Sequence, residues 1–196
     1  MAEKKMLGAS LYVPATHKDL PQIASGALLG HVRSLIFCTE DAVADSELGY
    51  ALFNLSLALQ QMTPQPGQDR FVRVRSPDIL KRVLDMPGAD KLSGFVLPKA
   101  TRHNFDAYFR QIRKTSHQLM PTLETAEAFD EGEMKRFRQC LEAPGVREHI
   151  LALRIGGNDL LALLGIRRPR SMTLYHTPLG PVIARLVTTF VPTALR

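Results

Sequence analysis

The chain has 196 residues, 45% hydrophobic and 22% charged, with no tryptophan, which suits one globular domain with an aliphatic core and excludes a disordered chain. Its net charge of +6 comes from dispersed basic residues with one cluster at Arg167, Arg168 and Arg170; no aromatic-interleaved basic strand or recognition-helix pattern accompanies them, so an anionic substrate is expected rather than nucleic acid. Cys38 and Cys140 make neither a disulfide framework nor a zinc spacing, which fits a reducing cytoplasm.

In chain order, the amino-terminal MAEKKMLGAS has lysines but no apolar stretch behind them, so no secretory signal is expected. No run approaches the roughly twenty apolar residues that span a bilayer. Residues 8–13 (GASLYV) predict a strand stopped by Pro14, and residues 17–29 a helix with Pro21 near its first turn. Residues 34–38 (SLIFC) predict a second strand ending in Glu40 and Asp41, followed by a helix over 42–62. A loop around Pro64 and Pro66 leads to a third strand over 71–74 (FVRV) and a helix over 77–84. Residues 94–97 (GFVL) are a fourth strand, followed by Pro98, Lys99 and a helix over 102–114. Residues 118–123 (QLMPTL) are a fifth, with a bulge expected at Pro121, and a long helix over 126–141 follows. Residues 150–155 (ILALRI) are a sixth strand, ending in Gly156, Gly157, Asn158 and Asp159. Helices over 160–164 and 178–190 complete the pattern.

Six β-then-α units predict a parallel sheet with helical crossovers. No glycine-rich dinucleotide fingerprint follows the first strand, as an open doubly wound sheet would favour. Polar residues instead follow five successive strands, which is how a (β/α)₈ barrel builds its site. A barrel needs eight strands and typically about 250 residues. The expectation is therefore a single, partial TIM-type barrel domain over residues 1–196, truncated after about six β–α units. Its first and last strands would present open edges, and the isolated chain would be poorly stable or aggregate.

The chemistry is concentrated at the strand ends. Glu124 and Asp159 follow the fifth and sixth strands, and neighbouring strands lie about 4.8 Å apart. Two carboxylates at equal height can share a hard cation such as Mg²⁺, or each can be a helix N-terminal acid favoured by the dipole; the residues alone leave both open. Arg73 in FVRV can stabilise a developing enolate oxygen or lie outward, and Arg75 shares its face. Glu40 and Asp41 either reach metal-bound water or cap the next helix. Lys99 can meet an anion or be a surface lysine. Gly156 and Gly157 offer backbone N–H groups for close approach to a ligand. None of the six histidines has metal-ligand spacing, although His17 stands at the presumed mouth as a candidate base.

Taken together, VRSLIFCTEDAV, FVRVRSPD, GFVLPKA, MPTLETAEAFD and LRIGGNDLLALLG resemble, in order and spacing over roughly residues 7–190, the HpcH/HpaI aldolase and citrate lyase β-subunit family. The resemblance implies a (β/α)₈ barrel that makes or breaks a carbon–carbon bond through a metal-stabilised enolate of a small 2-oxo acid or acyl thioester. It implies Mg²⁺, with Mn²⁺ as a substitute, held by Glu124 and Asp159, and Arg73 as the enolate-stabilising cation. Glu40 and Asp41 would then lie near the metal's water shell, with Lys99, Gly156 and Gly157 about the substrate. The implied partners are a small carboxylate or acyl-CoA and, in a full-length form, further copies in a homo-oligomer. Two departures stand out. Gly8, Ala9 and Ser10 occupy the place of the arginine–serine pair that helps hold an acyl carrier, and Arg75 replaces the asparagine that follows the strand-three arginine. The alternative is a non-catalytic remnant of the family with a binding or assembly role.

Overall fold

The computed structural model describes residues 7–168 and 170–194, with side chains described as far as Val191. The two lysines of the amino terminus lie outside the described residues. The chain divides into two compact units, one ending at Val96 and the other beginning at Leu97.

In the first unit, β1 (Ser10–Pro14), β2 (Ser34–Cys38), β3 (Asp69–Arg73) and β4 (Gly94–Leu97) pair in parallel in that order. Pro14 stands opposite Cys38, and Cys38 opposite Arg73. Every residue of β2 is buried, as in a parallel strand covered on both faces, so SLIFC shows no apolar–polar alternation. Phe37, Phe71, Phe95, Leu35 and Leu55 are fully buried in the core.

Three helices link these strands. Helix α1 (Leu20–Ser25) is shorter than the predicted 17–29. Pro21 lies in its first turn, and Gly26, at φ 85°, ends it by donating its N–H to the Ile23 carbonyl. The next helix, α2 (Leu48–Gln61), begins six residues later than expected, after a 3₁₀ turn over Asp45–Glu47. Helix α3 (Pro77–Leu84) has the predicted bounds. The Ser76 hydroxyl accepts the Ile79 N–H at 3.2 Å, and Pro77 sits where the helix needs no N–H.

The second unit carries α4 (Phe105–Ile112), β5 (Gln118–Leu123), α5 (Glu131–Glu142), β6 (Arg154–Ile155), α6 (Gly157–Leu163) and α7 (Leu179–Ala194). The helix predicted over 126–141 is two pieces, a 3₁₀ turn over Ala126–Phe129 and then α5. Asp130 makes the break by accepting the Glu133 N–H on its carboxylate at 2.9 Å. Strand and helix alternate through both units and every recorded pairing is parallel, in agreement with the TIM-type α/β class.

The sixth strand is shorter than predicted, for a reason that lies in its neighbour. Leu119 and Leu123 accept the N–H groups of Leu151 and Gly156 at 3.0 and 3.1 Å, so odd-numbered residues of β5 face β6. Pro121 is the odd-numbered residue between them and has no N–H to give. Bridging occurs at Leu119–Ile150 and resumes at Thr122–Arg154, three residues along β5 against four opposite. The irregularity expected at Pro121 is therefore real, but the extra residue belongs to the partner segment and only residues 154–155 remain as strand.

Helix α5 opens on a charge cluster. Glu133 accepts from Arg102 at 2.7 Å and from Arg136 at 2.6 Å. These hydrogen bonds, Arg102 first, pull its carboxyl from an ordinary value near 4.5 to about 2. Because the folded value is depressed, the stabilisation is complete above the unfolded value and is lost as pH falls from about 4.5 toward 2. In side-chain NMR titrations of the folded protein, Glu133 is expected to be the last of the α5 carboxylates to take a proton. Arg102→Ala should move its midpoint upward; an unmoved midpoint would show that the pair is not formed in solution.

Candidate functional site

The first unit contributes an arginine clamped by acids at the carboxyl ends of its strands. Arg73 closes β3 with its side chain 9% exposed, and one guanidinium nitrogen lies 2.7 Å from Glu40 Oε2 and 2.9 Å from Asp41 Oδ2. Glu40 Oε2 also accepts the Asp41 N–H at 2.9 Å, which fixes the pair's spacing. The backbone is held as firmly, because the Thr39 N–H and hydroxyl both donate to the Arg73 carbonyl, at 3.0 and 2.9 Å. The guanidinium carbon lies 6.0 Å from the Tyr12 ring centroid on β1, within reach of a cation–π attraction. Glu40 is buried, whereas the Asp41 side chain is 54% exposed, so the clamp is open on the Asp41 side.

Strand periodicity could not choose between Arg73 and Arg75, and the structure separates them. Arg75 lies past the end of β3 and turns to the β2–α2 loop. Its Nε donates to the Thr39 carbonyl at 3.2 Å, another nitrogen donates to the Val43 carbonyl, and the group pairs with Asp45. It braces the loop that carries Glu40 and Asp41.

The second unit, taken by itself, carries a buried carboxylate. Glu124, 2% exposed, directly follows β5. Its Oε1 accepts the Lys99 N–H at 2.8 Å. Lys99 adopts φ 47°, a left-handed conformation that costs a non-glycine residue roughly 1–2 kcal/mol. The turn is held by Asn104, whose side chain donates to the Lys99 carbonyl at 2.9 Å and accepts the Thr101 N–H at 2.9 Å. Backbone strain at the end of β4 thus aims an amide at the carboxylate.

Gly156 acts by what it lacks. A Cβ there would overlap the Glu124 carboxylate and its Cβ, so the glycine leaves the room that Glu124 occupies. The sequence reading offered the Gly156 N–H to a ligand, and this is corrected: that N–H is engaged by the Leu123 carbonyl in the β5–β6 ladder. Gly157 is buried, and a Cβ on it would meet Leu174 Cδ1 at 2.6 Å. Asp159 is the third residue of α6, half-buried in the first helical turn. Glu124 and Gly156 are thus in contact, and Asp159 stands three residues further along the chain.

Among the described residues no three His, Cys, Asp or Glu side chains converge as a metal cluster. The donor set that remains, Glu124 with Asp159, is all-oxygen. It fits a hard divalent cation, which commonly takes one or two carboxylates and completes its shell with water and substrate.

One contributor was missed. Asn54 of α2 is buried and donates to the carbonyls of Ala15 and His17 at 2.8 and 2.9 Å, pinning the turn that leaves β1. His17, exposed on that turn, accepts the Asp19 N–H on Nδ1 at 3.2 Å. The detectable signal was a lone amide on the apolar stripe Ala51, Leu55 and Ala58 of an uncharged helix.

A family model described as C–C bond lyase of the TIM-barrel fold matches residues 1–195. No curated protein sequence matches at a significant level. Among solved structures, the chain is similar to the magnesium–glyoxylate complex of Haloferax volcanii malate synthase (14% identity, TM-score 0.72, 94% of this chain and 60% of that one). It is also similar to RipC from Yersinia pestis (16%, TM-score 0.68, 97% and 74%). A third is the citrate lyase β subunit from M. tuberculosis complexed with oxaloacetate and magnesium (20%, TM-score 0.57, 94% and 72%). At these identities the likeness is one of fold. The chain spans about three fifths of the length of the malate synthase chains it matches.

The Glu124 cradle yields two expectations for urea denaturation. Gly156→Ala should destabilise by about 1–3 kcal/mol, the usual cost of overpacking, because the added methyl meets a carboxylate that its neighbours hold in place. Lys99→Gly should be neutral or stabilising by up to about 1 kcal/mol, since relief of the left-handed strain is partly offset by glycine's backbone entropy. A destabilised Lys99→Gly protein would show that the lysine side chain, and not its backbone turn, holds the site.

Proposed function

Because the chain belongs to the C–C bond lyase family of the TIM-barrel fold, we propose that it carries the active-site barrel of a Mg²⁺-dependent carbon–carbon lyase. Its substrate class is a small 2-oxo or β-hydroxy acid, free or as an acyl thioester. The observation that carries this reading is the Glu124 carboxylate, buried and held between the Lys99 amide and the Gly156 backbone. A carboxylate fixed in this way is the kind of hard oxygen donor that a divalent ion takes. Oxaloacetate and glyoxylate, named with magnesium in the related structures, are small oxygen-rich acids of the same class, which supports it further.

In this reading Glu124 and Asp159 hold the Mg²⁺ ion, for which Mn²⁺ can substitute. When bound, the ion supplies Lewis acidity and neutralises developing negative charge. Arg73 turns its guanidinium toward the carbonyl oxygen of the substrate and stabilises the enolate that cleavage produces. Glu40 and Asp41 hold that guanidinium charged and oriented, and the Asp41 side chain extends toward solvent. Lys99 fixes Glu124 through its backbone, while Gly156 and Gly157 let α6 start close against the strand ends. Cleavage of a β-hydroxy acid turns the hydroxyl-bearing carbon into a carbonyl, releases the hydroxyl proton and leaves the bonding pair on the enolate. In the synthetic direction the enolate attacks a carbonyl carbon such as that of glyoxylate. A cytoplasmic location and a homo-oligomeric state belong to the same proposal. Among the described residues, no helix is long and apolar enough to cross a membrane.

Calorimetric titration with MgCl₂ or MnCl₂ tests the carboxylate pair. Glu124→Gln and Asp159→Asn are each expected to weaken binding at least ~10-fold, the scale on which even outer-shell partners act, with the thermal midpoint little changed for Asp159→Asn. Wild-type affinity in both variants would remove the proposed site. Arg73→Lys should keep the metal affinity yet lower turnover of an enolate-forming substrate by about 10²–10³, the usual effect of removing one oxyanion donor.

A further inference from the structure

On the second unit, a cleft of about 390 Å³ opens beside α6 and is lined in part by Arg167 and Arg168. Its apolar lining is Leu161, Ala162 and Ile166, and Asn158 of the first turn of α6 joins them. The local fold explains how cations come to border an apolar lining. Gly165, at φ 67°, ends α6 in a left-handed turn in which the Ile166 N–H returns to the Leu161 carbonyl at 3.0 Å and the Gly165 N–H to the Ala162 carbonyl at 3.0 Å. This closing motif folds the following residues back over the helix they have just left. The two arginines consequently stand beside the apolar residues that line the cleft.

These arginines differ from most others in the unit. Arg102, Arg110, Arg136 and Arg138 are each paired with a glutamate or aspartate, and Arg185 donates to the Phe129 carbonyl. Arg167 and Arg168 are exposed and, among the described residues, make no hydrogen bond or ion pair. Two adjacent planar donors without a carboxylate beside them favour a multiply charged oxyanion, because a guanidinium recognises phosphate by paired, charge-assisted hydrogen bonds. The volume falls within the range of small-molecule clefts and exceeds what a bare phosphate needs, and Leu161, Ala162 and Ile166 give it an apolar lining.

We propose that this cleft is a binding site for an organic phosphate, with its phosphoryl group on Arg167 and Arg168 and its apolar or aromatic body against Leu161 and Ile166. The assignment is independent of the carboxylate site, since it uses neither Glu124 nor Asp159. It also gives a role to the one dense basic cluster of the sequence, which the lyase reading leaves unused.

The test is a metal-free titration of the 196-residue chain, followed by ¹H–¹⁵N NMR, with phenyl phosphate and with inorganic phosphate as probes. Phenyl phosphate is expected to bind saturably, shifting the amides of Leu161, Ala162 and Ile166. Inorganic phosphate should bind at least ~5-fold more weakly, because it leaves the apolar lining uncovered. The double variant Arg167→Ala/Arg168→Ala should lose at least ~10-fold in phenyl phosphate affinity while keeping its thermal midpoint, since both side chains are exposed. Absence of saturation, equal affinity for the two probes, or an unaffected double variant would each overturn the proposal. So would a short single-stranded oligonucleotide that outcompetes phenyl phosphate at these residues, which would reassign the two arginines to nucleic acid.

Discussion

A carboxylate sealed from water has to be met by hydrogen-bond donors or by positive charge, and in the second unit the local chain is arranged around that demand. Glu124 is reached by the Lys99 amide only because the end of β4 turns through a left-handed residue, and that turn persists because Asn104 binds it on two sides. On the opposite flank the carboxylate presses on a glycine, since any side chain at position 156 would collide with it. Three otherwise unremarkable choices (a lysine at positive φ, an asparagine ahead of α4 and a glycine after β6) are thus consequences of one acidic group held in one place.

The first unit solves the converse problem, a guanidinium held almost out of water. Arg73 is compensated by two adjacent acids of the loop that follows β2 and by the face of Tyr12. Breaking such a pair on one side leaves an uncompensated buried charge and is far costlier than never having built it. The loop bearing those acids is therefore braced in its turn, by Arg75 at several points. Two arginines of similar appearance in FVRVR have different work. The first presents charge toward the strand ends, and the second fixes the frame that the first leans on.

How much of this was readable beforehand depends on whether the cause lay within one segment. SLIFC, GFVL and QLMPTL were legible as strands because a strand buried on both faces is written as an unbroken apolar run. The helix over 77–84 was legible because serine and proline mark its start locally. Glu124, Asp159, Arg73 and the acidic pair stood out as charges set at the ends of apolar runs, and the family likeness supplied their grouping. The delayed start of α2 and the split before α5 were not legible, since each depends on a turn that competes with helix at its first residues. The service of Gly156 to Glu124 was hidden as well, because the two residues are far apart in sequence and meet only through strand pairing. Asn54 was masked by its apolar company on α2.

Pro121 leaves the seam between β5 and its neighbour fastened at Leu119–Ile150 below and at Thr122–Arg154 and Leu123–Ile155 above, with a slack stretch at residues 152–153 between them. Backbone amides in such a gap have no ladder acceptor on the β5 side and are free to exchange with solvent sooner than the fastened positions around them. The gap also uncouples the two fastenings. A change at the lower end of the seam can be taken up by residues 152–153 before it reaches Gly156, so the glycine that shelters the acidic group keeps its seat while the rest of the strand adjusts.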